Sequence, residues 1–346
     1  MKFRGVSLLI HDRAKKFNGI PLSVLDLALI NEGSSAAQSF KNSVDLARHA
    51  ENWGFNRFWF AEHHNMPGVA SSATSVIIGH VAGATETIRL GAGGVMLPNH
   101  APLVIAEQFG TLDALYPGRI DLGLGRAPGS DQATAYALRR TLHSSGNEFP
   151  QQLAELRAYF EYDPSARVRA FPGEGQDIPI WLLGSSDFSA RLAAELGLPF
   201  SFASHFAPTY MMQALSLYHR NFKPSKDLEK PYTMLGVTLI AADTDEKAHN
   251  IATSQQQQFL DIRRGVTTQF KPPIDDVDSV WSDFEKATVA ELLEWPSMIV
   301  GSPETVKQKL EAFVEMTKAD ECIISSGIYN HEDRLRSYEI LADMME

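Results

Sequence analysis

The chain has 346 residues, 44% of them hydrophobic and 21% charged, which is ample for a buried core and ordinary for an α/β barrel with one or two insertions. Its 31 basic and 42 acidic side chains leave a formal charge of −11, and no dense Lys/Arg stripe supplies the electrostatic footprint of a nucleic-acid binder. A single cysteine, Cys322, excludes an internal disulfide, and no stretch approaches the roughly eighteen apolar residues of a membrane span, so a cytoplasmic protein is expected.

Residues 1–21 read as an N-terminal extension. The apolar run Val6 to Ile10 is followed by Arg13, Lys15 and Lys16, which is neither a signal peptide nor an anchor. Residues 22–346 read as one domain. From Leu22 onward short apolar runs alternate with amphipathic stretches, the pattern of repeated β-then-α units and a parallel sheet. Leu22–Ile30 is predicted as a strand, Ala36–Trp53 as a helix stopped by Gly54, and Phe55–Ala61 as the second strand. A helix over Ser71–Thr85, capped by Ser71 or Ser72, precedes a glycine-interrupted strand over Ile88–Leu97. Pro102–Tyr116 is a helix begun by proline, and Arg119–Gly125 is the fourth strand. A loop-rich insertion from Arg126 to Gly175 holds helices at Asp131–Leu142 and Pro150–Tyr162.

Strands then follow at Ile180–Leu183 and Phe200–Ser204, with helices at Phe188–Leu196 and Thr209–Phe222. Tyr232–Ala242 is a long strand whose helix begins near Asp245, and the Gln255–Gln258 run on it reads as a solvated face. Residues 265–285 lack a clear period and are read as a mobile excursion near the mouth. Pro303–Thr317, a strand over Glu321–Ser325 and a terminal helix from Glu332 complete the series, with Cys322 buried as a thiol. Eight strands in strict alternation with helices predict a (β/α)8 TIM barrel with an insertion after strand 4 and an excursion after strand 7, against an open doubly wound sheet.

The strand at Arg57-Phe-Trp-Phe-Ala-Glu-His-His64 ends abruptly in ionisable groups, as a barrel strand does when it presents chemistry at the mouth. Successive residues of a strand face opposite ways, so Glu62 and His64 share one side and His63 takes the other. No His-x-His or His-x-x-x-His spacing is present, and no metal site is expected. In Leu90-Gly-Ala-Gly-Gly-Val-Met-Leu-Pro98 the glycines signal close approach to the backbone, either by a planar ring over Ala92, Gly93 and Gly94 or by a bulge of the barrel itself. Asp121-Leu-Gly-Leu-Gly-Arg-Ala-Pro-Gly129 has the spacing Gly-x-Gly-x-x-x-Gly, which departs from the dinucleotide fingerprint, and is read as a strand end where Gly125 clears space and Arg126 brings charge to the mouth. At Gly184-Ser185-Ser186 a strand opens into a helix, offering either a phosphate seat or simple N-capping by Ser185, Ser186 or Asp187. His100 and His205 fall just past two further strand ends, facing the pocket or serving structure.

In that order, Glu62-His63-His64, the Gly-Ala-Gly-Gly-Val-Met-Leu-Pro strand, Tyr116-Pro-Gly-Arg119, Gly-Leu-Gly-Arg126 and the Gly-Ser-Ser turn resemble the bacterial luciferase-like flavin monooxygenase family across residues 22–345. The resemblance implies a (β/α)8 barrel holding FMN at the C-terminal strand ends. His63 would match the family's active-site histidine, Gly93-Gly94 the pair joined by a non-proline cis bond beneath the ring, Arg126 the arginine beside ring and phosphate, and Ser185-Ser186 the phosphate-binding pair. Gly125 and Ser185 stand where the luciferase α-chain has cysteine and glutamate, so light emission is not implied. The implied chemistry is insertion of oxygen from O2 into a small organic substrate through a flavin C4a-hydroperoxide, with His63 moving protons and FMNH2 supplied by a separate reductase to a homodimeric enzyme. A non-catalytic flavin binder and an F420-dependent dehydrogenase on the same barrel are the alternatives.

Overall fold

The computed structural model describes residues 9–127, 132–139 and 148–346. Its strands are β1 (Lys16–Phe17), β2 (Ile20–Asp26), β3 (Arg57–Phe60), β4 (Arg89–Met96), β5 (Ile120–Gly125), β6 (Ile180–Gly184), β7 (Phe200–Phe202), β8 (Thr233–Ala241), β9 (Met298–Gly301) and β10 (Glu321–Ser325). Eight of them run in the order β2-β10-β8-β7-β6-β5-β4-β3, and parallel pairing of β2 with β3 closes the ring into a TIM barrel. Because every barrel pair is parallel, all eight C-terminal ends emerge at one rim, and the residues after each strand are gathered there.

Alternation along the strands divides the core. Phe58, Phe60, Leu90, Ala92, Leu122 and Leu182 face outward into the layer shared with the helices, whereas Trp59, Ala61, Trp181 and Ile323 fill the barrel interior. Near the N-terminal ends the interior turns polar. Arg57, fully buried, donates to Glu321 (Nε–Oε1 2.7 Å), to Asp121 (Nη1–Oδ2 2.6 Å) and to the Leu9 carbonyl (Nη2–O 2.6 Å). Arg89 adds a 2.6 Å bond to Asp121, and the Tyr232 hydroxyl donates to Glu321 at 3.0 Å. The indole rings of Trp59 and Trp181 wall this layer, Trp181 with its centroid 4.6 Å from the Arg57 guanidinium carbon. Leu9, itself buried, caps the base of the barrel.

The helix Ala36–Trp53 matches its expected bounds, with Gly54 left-handed (φ 91°) as the stop. Other expectations are corrected. The first barrel strand starts at Ile20 and ends at Asp26, and an antiparallel hairpin with β1 precedes it through Asn18 and Gly19, both at positive φ. The described part of the expected extension is thus joined to the barrel, Lys16 pairing with Glu346 through two backbone bonds of 2.9 Å. The second helix runs only Thr74–Ala82, and neither Ser71 nor Ser72 caps it, since its N-cap is Ala73. In the insertion, Gln132–Arg139 and Phe149–Phe160 are helical; Asp131 and residues 140–142 of the first expected helix lie outside the described residues, as do Pro128 and Gly129.

Residues 265–285 are tied down more firmly than their composition suggests. Phe270 exchanges backbone bonds with Ile30 and Glu32, and Trp281 is buried beside Leu260 and Val289. A capping box at Ser282 and Glu285 then starts a helix over Asp283–Leu293 that the sequence pattern did not single out. It leads into β9, also unforeseen, which pairs with the far end of β8. The Ser297 hydroxyl donates to the Ser204 carbonyl at 2.8 Å, so β9 continues the edge that β7 leaves. The Gln255–Gln258 run is not a solvated face: Gln256 is buried, Gln255 accepts from the Gly327 amide (3.0 Å), and Gln257 donates to the Pro272 carbonyl (2.7 Å). Amide side chains there meet backbone groups that loops leave unpaired. Cys322 is fully buried, and burial raises its thiol pKa, so it is an inert core group.

Candidate functional site

The residues singled out in the sequence emerge on five consecutive strand ends of one rim, in the order β3, β4, β5, β6, β7. Continued past the end of β3, the period of two gives His63 the interior parity of Trp59 and Ala61, and Glu62 and His64 the outward parity of Phe58 and Phe60. Glu62, 1% exposed, accepts Nε2 of His64 at 2.8 Å, so the expected neighbour is the one observed. His100, from the turn after β4, places its Nε2 2.8 Å from the same Glu62 oxygen, and the Met96 amide donates to the other at 3.2 Å. Burial would raise the Glu62 carboxyl, but the bonds from His100, His64 and Met96 outweigh it and hold the pKa down to about 2.

His63 is mainly governed by burial, which lowers its pKa; the Glu62 charge works against this and His64 adds to it. His205, just past β7, packs its ring on Gly236 of β8, where an added Cβ would stand 2.2 Å from Nδ1. That nitrogen is buried against the Gly236 backbone and makes no well-formed hydrogen bond. Burial lowers the His205 pKa to about 4, against an opposing effect of the Gly236 backbone and with a smaller further lowering from His63. His63 and His205 thus follow strands on opposite sides of the ring, β3 and β7.

The glycines of β4 and β5 are required by the protein itself. The Gly93–Gly94 bond is cis, and the β4–β5 register slips between Ala92 and Val95, so the bulge considered in the sequence is present. A Cβ on Gly94 would stand 2.7 Å from the Gly123 carbonyl oxygen, and one on Gly125 would stand 2.8 Å from Met96 Sδ. Ala92 is fully buried in the outward core. At Gly94 neighbouring backbone leaves no room for a larger side chain, whereas at Gly125 the flexible end of Met96 would have to move aside.

The end of β6 is different in kind. Ser186 is the N-cap of the helix Asp187–Leu196, yet its side chain makes no capping bond, and Ser185 is exposed. Simple capping by these hydroxyls is thereby excluded, and the amides of the first turn carry the positive end of the helix dipole without a side-chain acceptor from the cap. Arg126, beyond β5, lays its guanidinium carbon 4.2 Å from the ring centroid of Phe188, in that same first turn. Asp187 is half-exposed and pairs with Arg191 at 3.4 Å, one turn along its own helix. Gly184 is confined by Ser189, whose Oγ an added Cβ would approach to 2.6 Å.

Sequence reasoning missed one wall. A small cavity at the ends of β2 and β10 is lined by Leu25, Leu27, Gln255, Gln258, Ser326 and Arg334. Arg334 is buried and bonded to Asp26 at 2.8 Å, while its Nε has no partner. The only signal would have been the helical spacing of Gln255 and Gln258, which gives two residues of one run a shared face. Tyr116-Pro-Gly-Arg119, by contrast, is a structural joint: Arg119 donates to the Thr85 carbonyl (3.0 Å) and to Thr85 Oγ1 (2.6 Å), and the Tyr116 hydroxyl to Gly79 (3.1 Å).

Comparison with known proteins is consistent along nearly the whole chain. The family described as luciferase-like monooxygenase matches residues 20–320. The uncharacterized protein YvbT of Bacillus subtilis (strain 168) is 62% identical over 325 residues, covering 93% of this chain and 96% of the relative. A protein named luciferase-like monooxygenase in Escherichia coli (strain K12) is 55% identical over 328 residues, covering 94% and 97%. Among solved structures, apo-MsnO8 superposes with a TM-score of 0.85 at 35% identity, covering 94% of this chain and 98% of its own. Among the described residues no helix is long and apolar enough to cross a membrane.

Proposed function

This chain belongs to the luciferase-like monooxygenase family, and on that premise we propose that it is an FMN-dependent monooxygenase acting on a small organic substrate at the C-terminal rim of the barrel. The observation that carries the cofactor reading is the start of the helix Asp187–Leu196, where Ser185 and Ser186 are not spent on capping and Arg126 lies against the first turn. That donor set suits a phosphate monoester: hydroxyls, free amides and a guanidinium, with the neighbouring Asp187 engaged by Arg191. The bulged edge at Ala92, Gly93 and Gly94, with Gly125 beside it, keeps β4 and β5 free of projecting side chains where a planar ring would rest.

Reduced flavin, when bound, supplies the two electrons with which O2 is divided between substrate and water. The chain's own part is to bind, exclude water and move protons. His63, on the interior side and largely buried, is the group we assign to acid–base work; its imidazole is neutral at physiological pH and can accept or return a proton. His205 completes the dry wall across the mouth. FMNH2 would come from a separate flavin reductase. Oxygen uptake with FMNH2 and a turned-over substrate would support this reading, whereas reduction of F420 by an alcohol would transfer the barrel to the dehydrogenase alternative, and FMN binding without turnover to the non-catalytic one.

The phosphate assignment has its own measurement. Ser185→Ala with Ser186→Ala should weaken FMN by about tenfold or more, since each bond to a charged group contributes roughly 1.5–3 kcal/mol. Riboflavin, which has no phosphate, should bind the variant as it binds the parent. Fluorescence titration that finds equal losses for both flavins would remove the pair from phosphate binding.

A further inference from the structure

Glu62, His64 and His100 bring three metal-binding side chains together just past the ends of β3 and β4, a group that does not include His63. Their donor atoms lie within 4.8 Å of one another, and the two imidazole Nε2 atoms each stand 2.8 Å from the same oxygen, Glu62 Oε1. We propose that Glu62, His64 and His100 form a site for one divalent transition-metal ion of the zinc type, with a fourth position open to solvent. This departs from the expectation of no metal, which rested on the missing His-x-His spacing along one strand. The third donor comes instead from the turn after the neighbouring strand, 38 residues on from Glu62.

Two imidazoles and one carboxylate are a set that suits zinc and its neighbours in the transition series better than magnesium or calcium, which prefer oxygen donors. With metal–ligand bonds of about 2.0–2.2 Å, tetrahedral donors stand roughly 3.3 Å apart. Each histidine therefore retreats from Glu62 by about 0.5 Å and the two Nε2 atoms, now within 4.8 Å, settle about 3.3 Å apart, while their Nε2 protons pass to the other ring nitrogen or to water. Glu62 is prepared for the part: the Met96 amide holds its second oxygen at 3.2 Å, the kind of outer partner that fixes a ligating carboxylate. The histidine side chains are 14% and 27% exposed, which gives an ion a route in.

The test uses the full chain stripped with chelator and then dialysed against Zn2+, or against Co2+ for its visible spectrum. One equivalent should bind, and Co2+ should show the absorption of a low-coordinate nitrogen and oxygen site. His64→Ala and His100→Ala should each lower affinity about 100-fold or more, at least the scale reached by removing outer-shell partners alone. His249→Ala, on an exposed helix face, should bind as the parent does. Absence of uptake by folded protein, checked by circular dichroism, would overturn the proposal and leave a hydrogen-bonded network only; so would uptake unchanged in both histidine variants. Neither readout involves flavin or turnover, so the outcome is independent of the oxygenase reading.

Discussion

His63→Ala is expected to lower substrate oxygenation about 100-fold or more while leaving FMN affinity within a few-fold, because positioned acid–base groups typically contribute 10²–10⁴ in rate. The separation follows from where the residue stands. His63 leaves β3 on the interior side, whereas the donors assigned to the phosphate leave β5 and β6, so the imidazole can be removed without touching the phosphate seat. Truncation also exposes the pocket to water, which should raise the fraction of reducing equivalents released as hydrogen peroxide. Measuring oxygen consumed against product formed distinguishes the two effects. Unchanged oxygenation, with coupling intact, would exclude His63 from proton transfer.

Arg57→Met is expected to cost roughly 3–5 kcal/mol of folding stability, the range seen when one partner of a buried ion pair is deleted. Arg57 is the sole cation bridging Glu321 and Asp121 in the described structure, and its own charge is favoured by those two carboxylates despite burial. Removing it leaves Glu321 answered by Tyr232, Ser23 and Asn56, and Asp121 by Arg89 and Trp59. Asp121 thus keeps a counter-charge and Glu321 does not. The loss therefore falls on Glu321, a carboxylate left in the core with hydrogen bonds but no cation. Urea denaturation of parent and variant reads it. Lys247→Met, which breaks an exposed pair with Asp333, should change stability by less than about 1 kcal/mol. Equal effects for the two variants would show that the layer at the base of the barrel is not a stabilising network.

Much of the rim was legible along the chain because each strand end announces itself by a change of residue type. The aromatic run into Glu62-His63-His64, the glycines of β4 and β5, and the two serines after β6 each mark where an apolar strand stops, and a parallel barrel necessarily collects such ends at one rim. The period of two also put Glu62 and His64 on one side, as their hydrogen bond shows, because it depends only on local backbone geometry. Local signals failed where pairing is distant. Met298–Gly301 is four residues long and became a strand because β8 extends beyond β7 and offers it an edge. Ser71 and Ser72 have the chemistry of caps, but the helix begins later, and Gln255–Gln258 has the composition of a surface, yet loop backbone claims its amides.

What the amino-acid order determined by itself was the alternation of elements, the parity of side chains and the identity of the groups at each strand end, since these follow from hydrophobic period and backbone sterics within a few residues. What only the tertiary structure decided was which of those groups meet. Barrel closure sets Arg57 between Glu321, 264 residues away, and Asp121, 64 away, and brings His100 onto the carboxylate already held by His64. Burial then gives these meetings their weight, because charges and hydrogen bonds removed from water must be answered by partners that no local spacing specifies.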